Sequence, residues 1–211
     1  MSEYFEYGFR NEEPSHTHDY LLPKIKVILA HYKSSKILDV GCGNGSMAIE
    51  LIKNGYDAYG IDASEKGIDI AKRNYSDRFF LQDINSKTLP KELENIKFDT
   101  IISTEVIEHL FDPRGYIKFC KNILLNNKKG IIIISTPYHG YFKNLFLSLF
   151  NKWDTHLNPL WDGGHIKFWS RKTLTKLLIE FKFSHIKFYG CGRIPFLWKS
   201  MIITAEINAN D

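Results

Sequence analysis

Apolar residues cluster in short runs along this chain, and segments with helical periodicity separate the runs. A short apolar run bounded by turn residues has the pattern of a strand, whereas apolar positions three or four apart mark an amphipathic helix. The pattern predicts strands at Lys36–Val40, Asp57–Asp62, Arg78–Gln82, Phe98–Thr104, Gly130–Ser135, His185–Tyr189 and Ser200–Ile207. It predicts helices at Leu22–Tyr32, Ser46–Lys53, Glu65–Tyr75, Arg114–Leu125, Tyr141–Trp153 and Lys172–Phe181.

The order of these elements indicates the fold class. Strands and helices alternate through the first two thirds of the chain, which is typical of an α/β fold with a mainly parallel sheet. The run Ile131–Ile134 is entirely β-branched and suits a strand that is buried on both faces. The connection between the last two strands is short, so one of them should run antiparallel. With 211 residues, we expect one domain over residues 1–211.

The segment Asp39–Gly45 carries the strongest local pattern, three glycines at every second position between a strand and a helix. Glycine adopts positive φ without strain and lets a ligand approach the backbone closely. The first N–H groups of the following helix have no intrahelical partner. The segment therefore predicts a small-ligand site at the carboxyl end of the first strand. A dinucleotide fingerprint would need a glycine where Ser46 stands, which disfavours a nicotinamide cofactor.

Composition limits the classes of partner. The chain has 28 basic and 24 acidic residues, and a net charge of +4 is too small for a dedicated nucleic-acid binder. Cys42, Cys120 and Cys191 are widely spaced and odd in number, which predicts neither a disulfide framework nor a zinc knuckle and fits a cytoplasmic location. Met1–Pro14 lacks the pattern of a signal peptide, and no apolar run has membrane-spanning length.

The wording D-V-G-C-G-N-G, Asp39–Gly45, resembles motif I of class I S-adenosylmethionine (SAM)-dependent methyltransferases. The resemblance covers roughly residues 36–207. It implies a Rossmann-like, doubly wound, seven-stranded, mostly parallel sheet with an antiparallel last strand, and it implies SAM as the cofactor. The cofactor-binding residues that it implies are Asp39, Gly41, Cys42, Gly43, Asn44, Asp62, Ala63, Asp83, Ile84 and Thr104.

Two acids within this set have assigned roles in the family. The acid that ends the second strand holds the SAM ribose, and Asp62 matches it; a carboxylate can accept from both ribose hydroxyls. An acid after the third strand contacts the adenine amino group, and Asp83 matches it, with Ile84 against the ring. The alternatives are that Asp62 is an acidic helix N-cap and that Asp83 starts a turn.

A second cluster of chemically active residues, Glu105, Glu108 and His109, follows the fourth strand. On one helical turn, positions i, i+3 and i+4 lie on the same face, so these side chains would converge. Two carboxylates at close range repel each other unless a proton or a cation lies between them. The cluster therefore predicts a divalent metal site, with oxygen ligands favouring Mg²⁺ or Mn²⁺ and histidine favouring Mn²⁺, Fe²⁺ or Zn²⁺.

The wording E-V-I-E-H-L resembles two groups of methyltransferases, the ubiquinone-biosynthesis O-methyltransferases and the small-RNA 3′-terminal 2′-O-methyltransferases. In the RNA group the E-x-x-E-H residues bind a metal together with a histidine from a later H-x-x-F element, which His165–Phe168 matches. The implied metal ligands are Glu105, Glu108, His109 and His165. The implied catalytic residues are Glu105, His109 and His165, with either histidine as general base in the absence of a metal; His139 and His156 are further candidates.

The expected reaction is methyl transfer from SAM to a hydroxyl of a small acceptor such as a catechol or quinol. An RNA 2′-O-methyltransferase and a non-catalytic SAM-binding module are the alternatives. A positioned base and an aligned nucleophile meet the needs of the reaction, because the methyl group of SAM is already activated. The pattern leaves the oligomeric state open.

Two segments outside the predicted sheet core are candidates for covering the site. They are an N-terminal arm and helix over residues 1–35 and a substrate or lid insertion over residues 137–169. The apolar stripe of Tyr141–Trp153 fits a lid or core helix better than a peripheral membrane contact. The insertion's aromatic residues either enclose the acceptor or pack in the core; they are Trp153, Trp161, Phe168 and Trp169.

Overall fold

The computed structural model describes residues 8–9, 11–84, 88–161 and 163–209. Seven strands form one sheet. They are β1 (Lys36–Val40), β2 (Asp57–Asp62), β3 (Phe79–Leu81), β4 (Thr100–Thr104), β5 (Lys129–Pro137), β6 (Ser184–Cys191) and β7 (Ser200–Asn208). Their order is β3-β2-β1-β4-β5-β7-β6. Strand β7 is antiparallel to both neighbours and the remaining pairs are parallel, which confirms the predicted sheet with an antiparallel last strand.

Helices cover both faces of the sheet, as a doubly wound fold requires. They are α1 (His18–Tyr32), α2 (Ser46–Lys53), α3 (Glu65–Lys72), α4 (Pro113–Leu125), α5 (Tyr141–Leu149), α6 (Trp153–Leu157) and α7 (Arg171–Glu180). Helices α1, α2 and α3 belong to one apolar core, whereas α4 and α7 belong to the other. Successive residues of a strand point to opposite faces, so Ile101 joins the α4 core and Ile102 the α1–α3 core.

Strand β5 contributes residues to both cores. Ile131 and Ile133 pack on the α1–α3 side, and Ile132 and Ile134 pack on the α4 side. The apolar run predicted as a strand buried on both faces is therefore confirmed. Because β4 and β1 follow beside it, the sheet presents the carboxyl ends of its central strands at one edge, where the functional residues gather.

The helix of the N-terminal segment begins earlier than predicted. It starts at His18 instead of Leu22, because the N–H of Leu21 donates to the carbonyl of Thr17 at 3.0 Å and closes a turn before Pro23. Leu21 is fully buried in the α1–α3 core, and its burial stabilises this extra turn. The proline lies inside the helix and does not mark its start.

The predicted continuous helix over Tyr141–Trp153 is wrong, because the chain breaks into α5 and α6. Asn151 has a φ of 48°, in the left-handed region, and the N–H of Lys152 donates back to the carbonyl of Leu147 at 2.8 Å. This is the bond pattern with which helices end. Of the two alternatives favoured for the apolar stripe, a core helix is wrong, since the buried residues of α5 are Lys143 and Leu147, and a lid stays a prediction.

The helices within the described residues are all too short or too polar to cross a membrane.

The glycine loop is fixed by tight packing as well as by its conformation. Gly45 has a φ of 77°, and a Cβ placed on it would lie 2.6 Å from the Cβ of Ala71 and 2.9 Å from the ring of Phe79. This contact presses the end of the loop against α3 and β3. Gly45 therefore has two independent reasons to lack a side chain, its positive φ and its close packing, and the sequence pattern predicted the first of them.

We expect Gly45→Ala to lower the free energy of unfolding by roughly 2–4 kcal/mol, since left-handed strain and overpacking add. Gly55→Ala is the matched control, because Gly55 has a similar φ of 87° and nothing within 4 Å of its Cβ position. The control should cost only about 1–2 kcal/mol. Urea denaturation of both variants measures the difference. Equal losses would show that contact with Ala71 and Phe79 does not matter.

Candidate active site

The glycine loop is bonded to the neighbouring strand. The N–H groups of Gly41 and Cys42 both donate to the carbonyl of Ile61 in β2, at 2.9 and 3.1 Å. The N–H of Gly45 donates to the carbonyl of Cys42 at 2.9 Å and closes the turn into α2. The loop and the end of β2 are thereby held as one rigid edge.

The carboxylate of Asp62 lies on that edge. One oxygen accepts from the N–H of Gly43 at 2.8 Å, and the other accepts from the N–H of Ser64 at 2.7 Å. The N-cap of α3 is Ser64, whose hydroxyl accepts from the N–H of Gly67 at 2.9 Å. The N-cap alternative for Asp62 is therefore wrong, and its carboxylate is fixed beside the glycine loop.

The N-terminal arm lies on the glycine loop. The side-chain amide of Asn44 donates to the carbonyls of Asn11 and Glu13, both at 3.0 Å. The ring of Phe9 is so close to Gly43 that a Cβ there would lie 2.5 Å from the Phe9 Cζ. Asn44, expected as a cofactor residue, thus holds the arm. The arm's residues 1–7, with three of its aromatic side chains, lie outside the described residues.

Asp39 is enclosed at the end of β1. Asp39 is 1% exposed, and neither of its carboxylate oxygens has a hydrogen-bond partner within the described residues. Burial, reinforced by the negative charge of Asp62, raises the pKa of Asp39 to about 8. A carboxyl group in this state holds its proton at neutral pH unless a ligand offers it a cation or a donor.

The remaining predicted cofactor residues lie around the same edge. Asp83 and Ile84 follow β3, and Ile84 is half-buried against the α4 core while the carbonyl of Asp83 accepts from the Gln82 side chain at 3.1 Å. Thr104 ends β4 opposite Ser135 of β5. Ala63 lies between Asp62 and the N-cap of α3.

The segment that follows β4 differs from the predicted helical turn. A short 3₁₀ turn covers only Ile107–His109, and Glu105 before it has a φ of 55°, in the left-handed region. The expectation that one helical face aligns Glu105 with the other two side chains is therefore wrong. Val106 packs on the glycine loop, since a Cβ on Gly41 would lie 2.5 Å from its Cγ2.

The carboxylate of Glu105 is bound by hydroxyl groups from two strands. It accepts from the hydroxyl of Ser135 at 2.8 Å and from that of Ser200 at 3.2 Å, and the Tyr20 hydroxyl lies 3.1 Å from the Ser200 hydroxyl. Burial raises the pKa of Glu105 to about 7, while the two serine hydroxyls and the charge of Lys143 oppose the increase. Glu105 is therefore tied to the sheet and to α1.

Glu108, His109 and His165 form a separate group. One potential ligand atom from each lies within 4.8 Å of the others, and the His165 Nε2 lies 4.0 Å from a carboxylate oxygen of Glu108. Glu108 is 1% exposed, and within the described residues no hydrogen bond of ordinary geometry reaches its carboxylate oxygens, although the nearby Thr136 hydroxyl acts to lower its pKa. Burial, together with the charge of Glu105, raises the pKa of Glu108 well above its usual range. The structure thus joins three of the four predicted metal ligands and places Glu105 outside.

Main-chain bonds bring His165 to this group. The carbonyl of Glu108 accepts from the N–H groups of Ile166 and Lys167, both at 3.0 Å. The His109 Nδ1 lies 3.1 Å from the carbonyl of Gly164, and because a carbonyl only accepts, Nδ1 is the protonated nitrogen. This bond orients the imidazole and leaves its Nε2 as the basic nitrogen, the arrangement usual for metal-binding histidines.

The insertion's aromatic residues divide between the core and the site. Trp169 packs against the α4 core and donates to the carbonyl of Ile107 at 3.3 Å. The ring of Trp161 lies 5.8 Å from that of His109, Phe168 lies 5.3 Å from His139, and Trp153 lies 6.3 Å from His156. Trp161, Phe168 and Trp153 thus lie near histidines, and Trp169 packs in the core.

Several participants were not identified from the sequence. Ser135, Ser200 and Tyr20 bind or approach the Glu105 carboxylate, and Lys143 faces it. They come from β5, β7, α1 and α5, so no local spacing connects them. The S-T-P wording at the end of β5 was the one available indication, since it includes Ser135.

The sheet order, the glycine loop and the acid that ends β2 are those of a SAM-dependent methyltransferase. A family model described as a methyltransferase domain matches residues 8–187. The match covers most of the chain, and the chain therefore belongs to the methyltransferase domain family.

Curated relatives add a narrower likeness. The chain is 33% identical over 151 residues to the ubiquinone biosynthesis O-methyltransferase of Dinoroseobacter shibae, a match that covers 70% of the chain and 59% of that protein. It is 34% identical over 104 residues to the enzyme of the same name from Pelagibacter ubique, with 49% and 42% covered. The chain thus spans about half the length of the curated relatives it matches.

Solved structures share the fold at low sequence identity. The methyltransferase domain of bacterial-CtHen1-CN has a TM-score of 0.65 at 20% identity, covering 89% of this chain and 97% of that one. The magnesium protoporphyrin IX methyltransferase from Synechocystis PCC 6803, solved with bound SAH, has a TM-score of 0.62 at 19% identity, covering 88% and 81%.

The buried carboxyl of Asp39 should make stability depend on pH. Its folded pKa of about 8 exceeds the unfolded value of about 3.9, so between these values the folded state retains a proton that the unfolded state has lost. Its contribution to stability therefore decreases as the pH rises. We expect wild type to lose up to about 1.4 kcal/mol per pH unit more than Asp39→Asn between pH 5 and 7.

Denaturant unfolding of the ligand-free protein at several pH values measures these slopes. Asp69→Asn, which changes an exposed carboxyl on α3, is the control and should keep the wild-type slope. Parallel curves for wild type and Asp39→Asn would contradict a protonated Asp39.

Proposed function

We propose that this protein transfers the methyl group of SAM to a hydroxyl oxygen of a small hydroxylated acceptor. The observation that carries the proposal is the contact between the glycine loop and the segment Glu105–His109, where Val106 fills the space beside Gly41. A cofactor bound on the loop would thereby face the cluster of carboxyl and imidazole groups. This juxtaposition is what an in-line transfer to a deprotonated oxygen requires.

On the cofactor side, the residues divide the task of binding SAM. Asp62, fixed by two main-chain donors, would accept from the ribose hydroxyls. Asp39 would gain a partner for its unpaired carboxyl at the loop. Asp83 and Ile84 would border the adenine, and Phe9 with its arm would help to exclude water from the glycine loop.

On the acceptor side, proton affinity favours a ligand role for His165 over a role as general base. Burial, and then the neighbouring basic groups His109, His156 and Lys143, lower the pKa of His165 to about 4. An imidazole this acidic is neutral at pH 7 and binds a proton from a phenolic hydroxyl poorly. It remains a competent metal ligand, because no proton competes for its lone pair.

The residues present fit a divalent cation held by Glu108, His109 and His165. Buried carboxylate oxygens without partners, a second histidine and an imidazole oriented by the Gly164 carbonyl form a mixed oxygen and nitrogen donor set. The cation would supply a Lewis acid that favours the deprotonated form of an acceptor hydroxyl. Glu105, whose carboxylate is oriented by the hydroxyls of Ser135 and Ser200, would contribute negative charge beside the cation.

The names of the relatives, ubiquinone biosynthesis O-methyltransferases, support a small-molecule acceptor, and the resemblance of E-V-I-E-H-L to that group implies a catechol or quinol. A ribose diol at the end of an RNA is the alternative acceptor, and the E-x-x-E-H resemblance supports it. The net charge of +4 favours the small molecule, because RNA binding depends on many basic contacts with phosphates.

An exposed apolar surface beside the site supports a hydrophobic acceptor or contact with a membrane surface. On α5, Phe142 is 56% exposed and Leu149 is 71% exposed, and the Phe142 ring lies 5.9 Å from Phe196 of the β6–β7 loop. Soluble proteins rarely leave such patches without a partner. The same surface would receive an apolar substituent of the acceptor.

Metal binding by single-residue variants should distinguish the three proposed ligands from Glu105. We expect wild type to bind Mn²⁺ saturably and Glu108→Gln or His165→Ala to bind it at least about 100-fold more weakly, since each loses a direct ligand. Calorimetric titration of the S-adenosylhomocysteine-bound protein measures the affinity, with Mg²⁺ and Zn²⁺ as further ions.

Glu105→Gln is the matched control, because it changes the same residue type three positions away and should retain metal binding. Loss of binding in Glu105→Gln alone would return Glu105 to the ligand set. Absence of saturable binding in wild type would reject the cation and leave the histidines as base or scaffold.

Methyl transfer itself can be tested with radiolabelled SAM and a panel of acceptors. We expect catechols to accept methyl groups, a monophenol to react at least about tenfold more slowly, and 3′-terminal RNA diols to be inactive. Asp62→Ala should raise the KM for SAM with a smaller change in kcat, because the ribose contact is made in ground and transition states alike. Transfer to RNA and not to small catechols would favour the alternative acceptor.

A further inference from the structure

A second group of basic side chains lies beyond the metal group, at the base of α5. Its members are His139, Lys143 and His156, with Arg193 of the β6–β7 loop nearby. The rings of His139 and His156 are 5.3 Å apart. His139 precedes the N-cap of α5, Gly140, and Lys143 lies in the first turn of this helix.

Lys143 is the most unusual member of this group. It is 9% exposed, although every other residue of α5 except Leu147 lies closer to solvent. Its ammonium has three donors, and within the described residues it makes one hydrogen bond, to the carbonyl of Lys199 at 3.3 Å. Burial, followed by the charge of Arg193, lowers the pKa of Lys143 to about 8, so it remains mostly charged at pH 7.

The nearest negative charge does not neutralise this lysine by direct contact. Glu105 attracts Lys143 electrostatically, but within the described residues the two form no ion pair, and the Glu105 oxygens already accept from Ser135 and Ser200. A buried cation that has one carbonyl partner and no bonded anion is costly. The remaining groups that face it, Arg193 and the histidines, are basic.

The two histidines are suited to binding an anion with Lys143. His139 is 8% exposed, and both rings are held by aromatic neighbours, Phe168 for His139 and Trp153 for His156. A neutral imidazole still offers one N–H donor, and an anion would strengthen it by favouring the charged form. Lysine and histidine donors that converge on one place recognise carboxylate or phosphate oxygens.

We propose that Lys143, His139 and His156 form a subsite for an anionic substituent, a carboxylate or a phosphate monoester, on the methyl acceptor. The assignment of the anion to the acceptor rests on the proposed function, whereas the anion site itself does not. His165 links this subsite to the metal group, because its ring lies 4.9 Å from that of His109 and the basic groups His156 and Lys143 also act on it. An acceptor would thus be held by its hydroxyls at one end and by its anion at the other.

Calorimetric titration of the full chain with benzoate, phenyl phosphate and benzyl alcohol tests the subsite without methyl transfer. Treatment of the protein and buffer with a chelating resin beforehand removes any metal contribution without adding a competing carboxylate. We expect an anion to bind and the neutral alcohol not to bind, and the tighter of the two anions identifies the substituent. Lys143→Met should weaken anion binding at least about tenfold, because it deletes a charged hydrogen bond.

Lys152→Met is the matched control, since Lys152 is an exposed lysine just beyond α5 and should leave binding unchanged. His156→Leu should also weaken binding, and it provides the test should Lys143→Met fail to fold. Equal binding of benzoate and benzyl alcohol, or wild-type binding in both Lys143→Met and His156→Leu, would overturn the subsite.

The two proposals fail in different ways. Anion binding without methyl transfer to any hydroxylated acceptor would reject the proposed function and keep the subsite. Methyl transfer at equal rates to charged and neutral catechols, without benzoate binding, would reject the subsite and keep the function.

Discussion

Burial of carboxyl groups at one edge of an apolar sheet is the constraint on which the site depends. Asp39 and Glu108 have no hydrogen-bond partner within the described residues, and Glu105 has only hydroxyl partners. Charged carboxylates in such surroundings are unfavourable, so each group must hold a proton or receive a compensating ligand. The fold keeps these acids in place because strands packed on both faces carry them there.

The same constraint separates two acids that are neighbours in sequence. Glu105 turns toward β5 and β7, where Ser135 and Ser200 bind its carboxylate, while Glu108 lies with His109 and with His165 of the insertion. The carboxylates repel, and the charge of Glu105 contributes to the raised pKa of Glu108. One acid is therefore stabilised by the sheet, and the other depends on what the insertion brings to it.

Sequence patterns predicted the glycine-bounded part of the fold closely and the insertion less well. Strands β1 and β2 and helix α2 have the predicted bounds, because Gly41 follows β1, Gly45 precedes α2, and β2 begins and ends with an aspartate. Glu105 has no such marker, since glutamate rarely adopts positive φ and is held there by bonds to Ser135 and Ser200. The break at Asn151 is marked only weakly, because asparagine tolerates positive φ but also occurs within helices. Contacts of Glu105 with Ser135, Ser200 and Tyr20 depend on strand order, which no local spacing encodes.

The insertion is attached to the site through main-chain atoms. Near the end of the insertion, the N–H groups of Ile166 and Lys167 both donate to the carbonyl of Glu108, and the carbonyl of Gly164 binds the His109 ring. No side-chain substitution can delete a backbone carbonyl or, proline aside, a backbone N–H. Evolution can therefore replace the exposed residues of the insertion, and with them the shape offered to an acceptor, while the anchor stays in register. The residues of the insertion that contact an acceptor can thus change while the group of Glu108, His109 and His165 is retained.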